Sequence, residues 1–206
     1  MNTSTLNAFQ DTMRDCLSSV YIEEPSQLHD DVSKSVWAWV KSKYDVDWSK
    51  APILDVGCGC GVFLEMLLTE GRGCIGITAS KEEFERCTVK SLPIANWEMQ
   101  DVSQLSEYAS GIWLRHTAEH SFAPYMLLRS CYKAIKPGGW IYLEVPAPGT
   151  SSKHEENANH FSVLGNSMWR QLLIRAGFEI VDTTSIQFET KLGMDEYFCF
   201  LGKKTI

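Results

Sequence analysis

The chain has 206 residues, 44% of them hydrophobic and 22% charged, which suits one full-sized globular domain and excludes disordered and collagen-like classes. Its net charge of −7, with no cluster of Lys and Arg, argues against nucleic acid as a partner, since phosphates need a basic face. No run of about 18 uncharged apolar residues occurs, so no membrane span is expected; residues 1–10 lack the basic start and apolar core of a secretory leader, so a cytoplasmic protein is expected.

Residues 1–27 carry no clean periodicity and are punctuated by Pro25. Over residues 27–44, Val32, Val36, Trp37 and Val40 recur at helical spacing and predict an amphipathic helix, packed on a sheet or covering a pocket. Residues 1–48 thus read as an N-terminal helical cap and 49–206 as one compact domain. Residues 51–56 predict a first strand that runs into Gly57-Cys58-Gly59-Cys60-Gly61. A helix follows over 62–70, with Phe63, Met66 and Leu67 on one side. Residues 71–78 predict a turn and second strand, and 80–90 a helix with Ser80 as its N-cap. Three more strands are predicted over 94–99, 112–114 and 140–145, with a helix over 125–135 and a turn over 136–139. Residues 167–176 are helical and stop at Gly177. Two β-rich runs, 178–188 and 197–201, follow. Alternating strands and helices predict an α/β fold: a Rossmann-like, open twisted sheet, mostly parallel, with helices on both faces and an antiparallel C-terminal hairpin.

In such a sheet ligands bind at the carboxyl ends of the strands. Gly57, Gly59 and Gly61 allow a tight turn and close backbone approach, and the next helix aims its N–H groups at the loop. A dinucleotide fingerprint would need a small residue where Val62 stands, and no Gly-Lys-Ser/Thr follows to make a P-loop. A nicotinamide oxidoreductase is therefore disfavoured.

The form Asp55-Val56-Gly57-Cys58-Gly59-Cys60-Gly61 resembles motif I of the class I S-adenosylmethionine-dependent methyltransferases, and the resemblance covers roughly residues 50–205. It implies S-adenosylmethionine as cofactor, held by Asp55, Gly57, Cys58, Gly59 and Gly61. Thr78, Ala79 and Ser80 would join them after the second strand, Asp101 and Val102 near the adenine, and Arg115 at the end of the fourth strand. Where that family usually places an acid for the ribose hydroxyls, this chain has Thr78. A hydroxyl accepts more weakly than a carboxylate, so Thr78 suffices, or Glu82 or Glu83 reaches in, or binding is weak. Asp101 also reads as a helix N-terminal acid.

His116-Thr117-Ala118-Glu119-His120 is similar to the signature of a small-molecule branch that includes ubiquinone-biosynthesis methyltransferases. Lys136-Pro137-Gly138-Gly139, Leu143-Glu144-Val145-Pro146, His160-Phe161 and Ala176-Gly177-Phe178 extend that likeness. The usual Asp at the start of the fourth strand is replaced by Ser110 and Gly111. Methyl transfer is an in-line displacement that needs alignment above all, and a hydroxyl acceptor adds the need for a base, commonly His. His116, Glu119, His120 and His160 are the catalytic candidates, with His154 also at the ligand rim.

His116-x-x-Glu119-His120 also spells a zinc-protease pattern, but that pattern works on a helix, and here it follows a strand. The seven cysteines are an odd number suited to a reducing compartment, and Cys58-x-Cys60 lacks zinc-knuckle spacing. No metal ligands are assigned, although His and Glu at the rim could hold a divalent ion that orients a diol. Residues 151–159 read as a polar, mobile lid. Trp37, Trp39, Trp113, Trp169 and Tyr125 are candidates for an apolar pocket or for core. No Asn-Pro-Pro-Tyr, Asp-Pro-Pro-Tyr or Pro-Cys occurs, which disfavours methylation of DNA bases. The expected activity is O-methylation of a small-molecule acceptor. The alternative is a catalytically degenerate cofactor-binding scaffold or regulatory protein. A homodimer is left open.

Overall fold

The computed structural model describes residues 7, 8, 11, 12, 15, 27–44 and 51–205, so most of the stretch before residue 27 lies outside the described residues. Helix α1 (Gln27–Lys43) buries Val36, Trp37 and Val40, the stripe that its periodicity predicts. It is tied to the sheet domain by Trp37 Nε1 donating to Glu70 Oε1 at 3.0 Å and by the Tyr44 hydroxyl donating to the Gly138 carbonyl at 2.7 Å.

The sheet contains β1 (Ile53–Val56), β2 (Cys74–Thr78), β3 (Ile94–Asn96), β4 (Ala109–Arg115), β5 (Ile135–Pro146), β6 (Glu179–Thr190) and β7 (Gly193–Lys203). Their spatial order is β3-β2-β1-β4-β5-β7-β6. The pairs from β3 through β5 are parallel, and β7 is antiparallel to both β5 and β6. The strand order reverses between β1 and β4, which opens a crevice at their carboxyl ends.

Helices α2 (Val62–Thr69) and α3 (Lys81–Val89) join α1 on one face, and α4 (Pro124–Ala134) and α5 (Asn166–Ala176) cover the other. On the first face Phe63 stacks on Trp113 at 4.1 Å, Trp113 on Tyr142 at 4.2 Å, and Trp37 meets Phe63 edge-on. Each fully buried ring contributes about 2–3 kcal/mol. Trp37, Trp113 and Trp169 are therefore core, not pocket lining, and Tyr125 lies exposed on α4. The six described cysteines are buried and unpaired.

Several elements differ in extent from expectation: β4 and β7 outrun the expected 112–114 and 197–201 at both ends, and two other differences have a local cause. Strand β3 stops at Asn96, because Glu98 and Asp101 cap each other reciprocally and start a 3₁₀ turn over Met99–Gln104. Residues 136–139 continue β5 in place of a free turn. Gly138 bends the chain at φ 77°, and backbone bonds to Lys204 keep it on the ladder.

Gly111 is required by packing: a Cβ there would lie 2.0 Å from the Trp140 ring. Ser110 bonds the Ala51 carbonyl at 2.8 Å, at the end of β4 remote from Arg115. The missing acid at this position is thus a packing matter. Because the β3–β4 connection holds only a short 3₁₀ turn, an apolar cavity of about 490 Å³ lies between Ile75, Ile94, Trp97 and Tyr108. Its lining includes no residue of the glycine loop or the histidine rim. No helix of the described residues is long and apolar enough to cross a membrane.

Candidate functional site

The glycine loop leaves β1 with Gly57, Gly59 and Gly61 at φ 78°, 51° and 83°, a region that favours glycine. Their surroundings separate their roles. A Cβ on Gly57 would fall 2.1 Å from Thr117 Oγ1, and one on Gly61 would fall 2.4 Å from Leu92 Cδ1. On Gly59 the nearest atom is Glu83 Oε1, at 4.0 Å. Packing demands two of the glycines, and the third has space on its Cβ side at the start of α2. Cys58 is buried beside Gly76, and its N–H bonds the Ile77 carbonyl at 3.1 Å, so its thiol belongs to the core.

At the end of β2 a carboxylate from α3 stands beside Thr78. The Thr78 hydroxyl donates to Glu83 Oε2 at 2.6 Å, the Ser80 N–H donates to Thr78 Oγ1 at 3.1 Å, and Ser80 Oγ caps the helix by accepting from the Glu83 N–H at 3.3 Å. Glu82 instead pairs outward with Arg86 at 2.7 Å. Of the two carboxylates the sequence leaves open, Glu83 is the one facing the loop. Ala79 between them is exposed. Both Asp101 oxygens accept local bonds, from the Glu98 N–H at 3.0 Å and Gln104 Nε2 at 2.8 Å, and Val102 is fully buried. Burial pushes the Asp55 carboxyl up to about 8 despite the nearby Arg115, so it is neutral at pH 7 and able to donate a hydrogen bond.

Beyond the cradle, β4 and β5 deliver a buried charge network. Arg115 Nε donates to Glu144 Oε1 at 2.7 Å, and the Tyr142 hydroxyl donates to Glu144 Oε2. Burial opposes ionisation of Glu144, but Arg115 and His116 hold it down at about 2. His116 follows at φ 50°, an unusual conformation for a side chain larger than glycine. Its Nε2 lies 3.0 Å from Glu144 Oε1 and its Nδ1 3.4 Å from Glu119 Oε1. Burial disfavours its charge, yet those two carboxylates carry it up to about 9. Tyr197 packs edge-on to this ring at 4.2 Å, and His29 of α1 stacks on it at 5.9 Å.

The rim continues through a 3₁₀ turn at Ala118–His120, which rules out the helical zinc-protease arrangement. His120 Nδ1 lies 2.9 Å from the Asn159 carbonyl; a carbonyl only accepts, so Nδ1 carries a proton and donates it there. The His120 and His160 rings meet at 4.9 Å, and His160 stacks on His154, whose Nε2 sits 3.1 Å from Asp195. Burial lowers the His160 pKa and keeps it neutral at pH 7.

The segment read as a mobile lid is tethered: the Ser151 N–H bonds the Met194 carbonyl at 3.1 Å, Ser152 Oγ bonds Asp195 at 2.7 Å, and the Ser162 N–H bonds the Glu119 carbonyl at 2.9 Å. It forms a wall. All four catalytic candidates therefore lie in one cluster. Sequence reasoning missed Glu144, Asp195, Tyr197 and His29. A signal existed for Glu144, since an acid inside the apolar run of β5 must be paired.

A family model described as a methyltransferase domain matches residues 33–183. Ubiquinone biosynthesis O-methyltransferases are similar over part of their length. That of Vibrio vulnificus (strain YJ016) is 29% identical over 111 residues, 50% of this chain and 47% of the relative. That of Aliivibrio fischeri (strain ATCC 700601 / ES114) is 28% identical over 97 residues, 44% and 42% respectively. The chain thus spans less than half the length of the curated relatives it matches. Among solved structures, a SAM-dependent methyltransferase from Archaeoglobus fulgidus aligns with a TM-score of 0.69 at 20% identity, covering 85% of this chain and 94% of that one. With the family match spanning most of the sheet and the cradle in place, the chain belongs to the methyltransferase-domain family, the class I enzymes whose cofactor is S-adenosylmethionine.

Proposed function

We propose that the protein methylates a hydroxyl oxygen of a small-molecule acceptor seated between the glycine cradle and the histidine rim. The observation that carries this reading is the placement of Glu119, His120 and a neutral His160 together at the carboxyl ends of β4 and β5. S-adenosylmethionine supplies a methyl group on a sulfonium leaving group. The residues around it bind and align. Backbone of the loop over residues 57–61 and the Glu83 carboxylate hold the cofactor, with Asp55, Arg115, Asp101 and Val102 beside them. His120 Nε2 takes the proton from the acceptor hydroxyl, His160 and Glu119 orient that hydroxyl, and His116 fixes Glu119 through the 3.4 Å contact. The printed names of the O-methyltransferase relatives and the acidic net charge support a small acceptor. The scaffold alternative loses its two motives, because Glu83 stands in for the acid missing at Thr78 and the Ser110/Gly111 departure serves packing.

Two measurements test the reading. His120→Ala lowers turnover roughly a hundredfold, the size of a general-base contribution, with S-adenosylmethionine affinity nearly unchanged. His116→Ala shows the same split. Full turnover in both variants removes the rim from the chemistry. Calorimetry on Glu83→Ala shows cofactor affinity weakened roughly tenfold to a hundredfold, the loss of a charge-assisted hydrogen bond. Thr78→Val, which only frees the carboxylate, weakens it less. Equal affinity of Glu83→Ala and the parent places the ribose elsewhere.

A further inference from the structure

We infer that the methyl acceptor is an aromatic hydroxy acid whose carboxylate is received by Nη2 of Arg115. The inference rests on the O-methylation reading and adds a substrate class to it. Nη2 of Arg115 is buried without a hydrogen-bond partner. A guanidinium nitrogen only donates, so the group that completes it must accept. Folded proteins rarely leave such a donor unsatisfied, because each costs stability.

The acids nearby do not supply that acceptor. Arg115 Nε already donates to Glu144 Oε1 at 2.7 Å, and the second oxygen of Glu144 takes the Tyr142 hydroxyl. Glu144 also faces His116, at 3.0 Å, so one carboxylate serves two cations. Asp55, the acid on the cradle side, is held neutral at pH 7 by burial and cancels no charge on Arg115. A carboxylate is the group that meets a guanidinium best in a dry site, through a charge-assisted bond.

The placement of Arg115 favours the acceptor over the cofactor as the source of that carboxylate. Arg115 lies in register with Glu144, and its side chain reaches across to β5, whereas the glycine loop and Glu83 belong to the β1–β2 side. The side chain keeps 12% exposure, so it is reached from the crevice. His116 bridges Glu144 and Glu119, which sets Arg115 and the Glu119–His120 pair one imidazole ring apart. A benzene ring carrying a hydroxyl and a carboxylate spans that separation. The neighbours of the His116 ring are themselves aromatic, His29 at 5.9 Å and Tyr197 at 4.2 Å, and suit a planar ligand. The carboxylate takes no part in the bond changes. It fixes which hydroxyl faces His120, and that oxygen bonds the methyl carbon while the carbon–sulfur electrons stay on sulfur and the proton leaves through His120.

The test is calorimetry on full-length protein, with and without saturating S-adenosylhomocysteine. The probes are 3-hydroxybenzoate and its neutral counterpart, 3-hydroxybenzyl alcohol. The acid binds saturably, one per chain, and roughly tenfold or more tighter than the alcohol. This comparison within the parent needs no variant. Arg115→Lys keeps a cation against Glu144 but loses the second nitrogen, and Arg115→Met loses both. The preference for the acid shrinks in the first and vanishes in the second, with circular dichroism confirming that each is folded. No saturable binding of the acid, equal affinity for acid and alcohol in the parent, or an undiminished preference in the folded variants overturns the inference. So does an Arg115 variant that loses S-adenosylhomocysteine affinity and keeps the acid preference, because the guanidinium then serves the cofactor's own carboxylate. Acid binding in a parent that binds no S-adenosylhomocysteine leaves the acid site standing and sinks the methyltransferase reading. Cofactor binding without an acid preference sinks this inference alone.

Discussion

Gly59→Arg abolishes S-adenosylmethionine binding, a loss of roughly a hundredfold or more in affinity, equivalent to at least about 2.7 kcal/mol. The open side of Gly59 is the feature responsible: its first neighbour is Glu83 Oε1 at 4.0 Å, so an arginine side chain grows into the cradle without a core clash. A non-glycine residue at φ 51° costs about 1–2 kcal/mol, which lowers the melting temperature modestly and leaves the protein folded. Gly59→Ala carries the same backbone strain with almost no added bulk, so it separates strain from occlusion. Calorimetric titration of both variants, with a thermal melt beside it, decides the matter. Parental affinity in the arginine variant would show that the cofactor is not held at this loop.

The second large effect is on stability. Glu144→Ala leaves Arg115, His116 and the Tyr142 hydroxyl facing a buried void where a carboxylate stood. Glu144 is 0% exposed, and breaking a buried ion pair from one side costs about 3–5 kcal/mol, because the remaining charge is uncompensated. For a domain of this size that is roughly 10 °C in melting temperature. Glu144→Gln keeps the shape and one acceptor oxygen, so it loses less. Denaturant unfolding monitored by tryptophan fluorescence measures both. A Glu144→Ala protein with parental stability would mean that the network relaxes into water instead of staying dry.

The parts of this molecule that are legible in its sequence are those set by local pattern. The strand, glycine loop and helix around Asp55 and Gly61 could be placed because a short apolar run gives way to a period of 3.6 with turn residues between. Ser80 as a cap and Gly177 as a left-handed stop follow from side-chain chemistry and from φ 111° at Gly177. What escaped depends on contacts distant in the chain. The partnership of Thr78 with Glu83 needs the turn of α3, and no spacing rule distinguishes Glu83 from Glu82 until one of them pairs with Arg86. The path of residues 136–139 is decided by Lys204, some 65 residues later, and a Pro-Gly-Gly run by itself reads as a free turn. His29 joins the rim only because α1 lies across the sheet.

Strand β7 is the last of the seven in chain order, yet it sits inside the sheet, between β5 and β6. It pairs Cys199 with Glu144 and Tyr197 with Pro146, and it brings Asp195 to His154. During synthesis the chain therefore emerges with the edge of β5 unpaired until these residues leave the ribosome. An open edge of that kind is a template for wrong pairing, and long-range closure is slow. The same order means that a nascent chain stopped before residue 195 has its glycine loop but lacks one wall of the histidine rim. The glycine loop and the histidine rim are thus completed at different times, in the birth order of the strands.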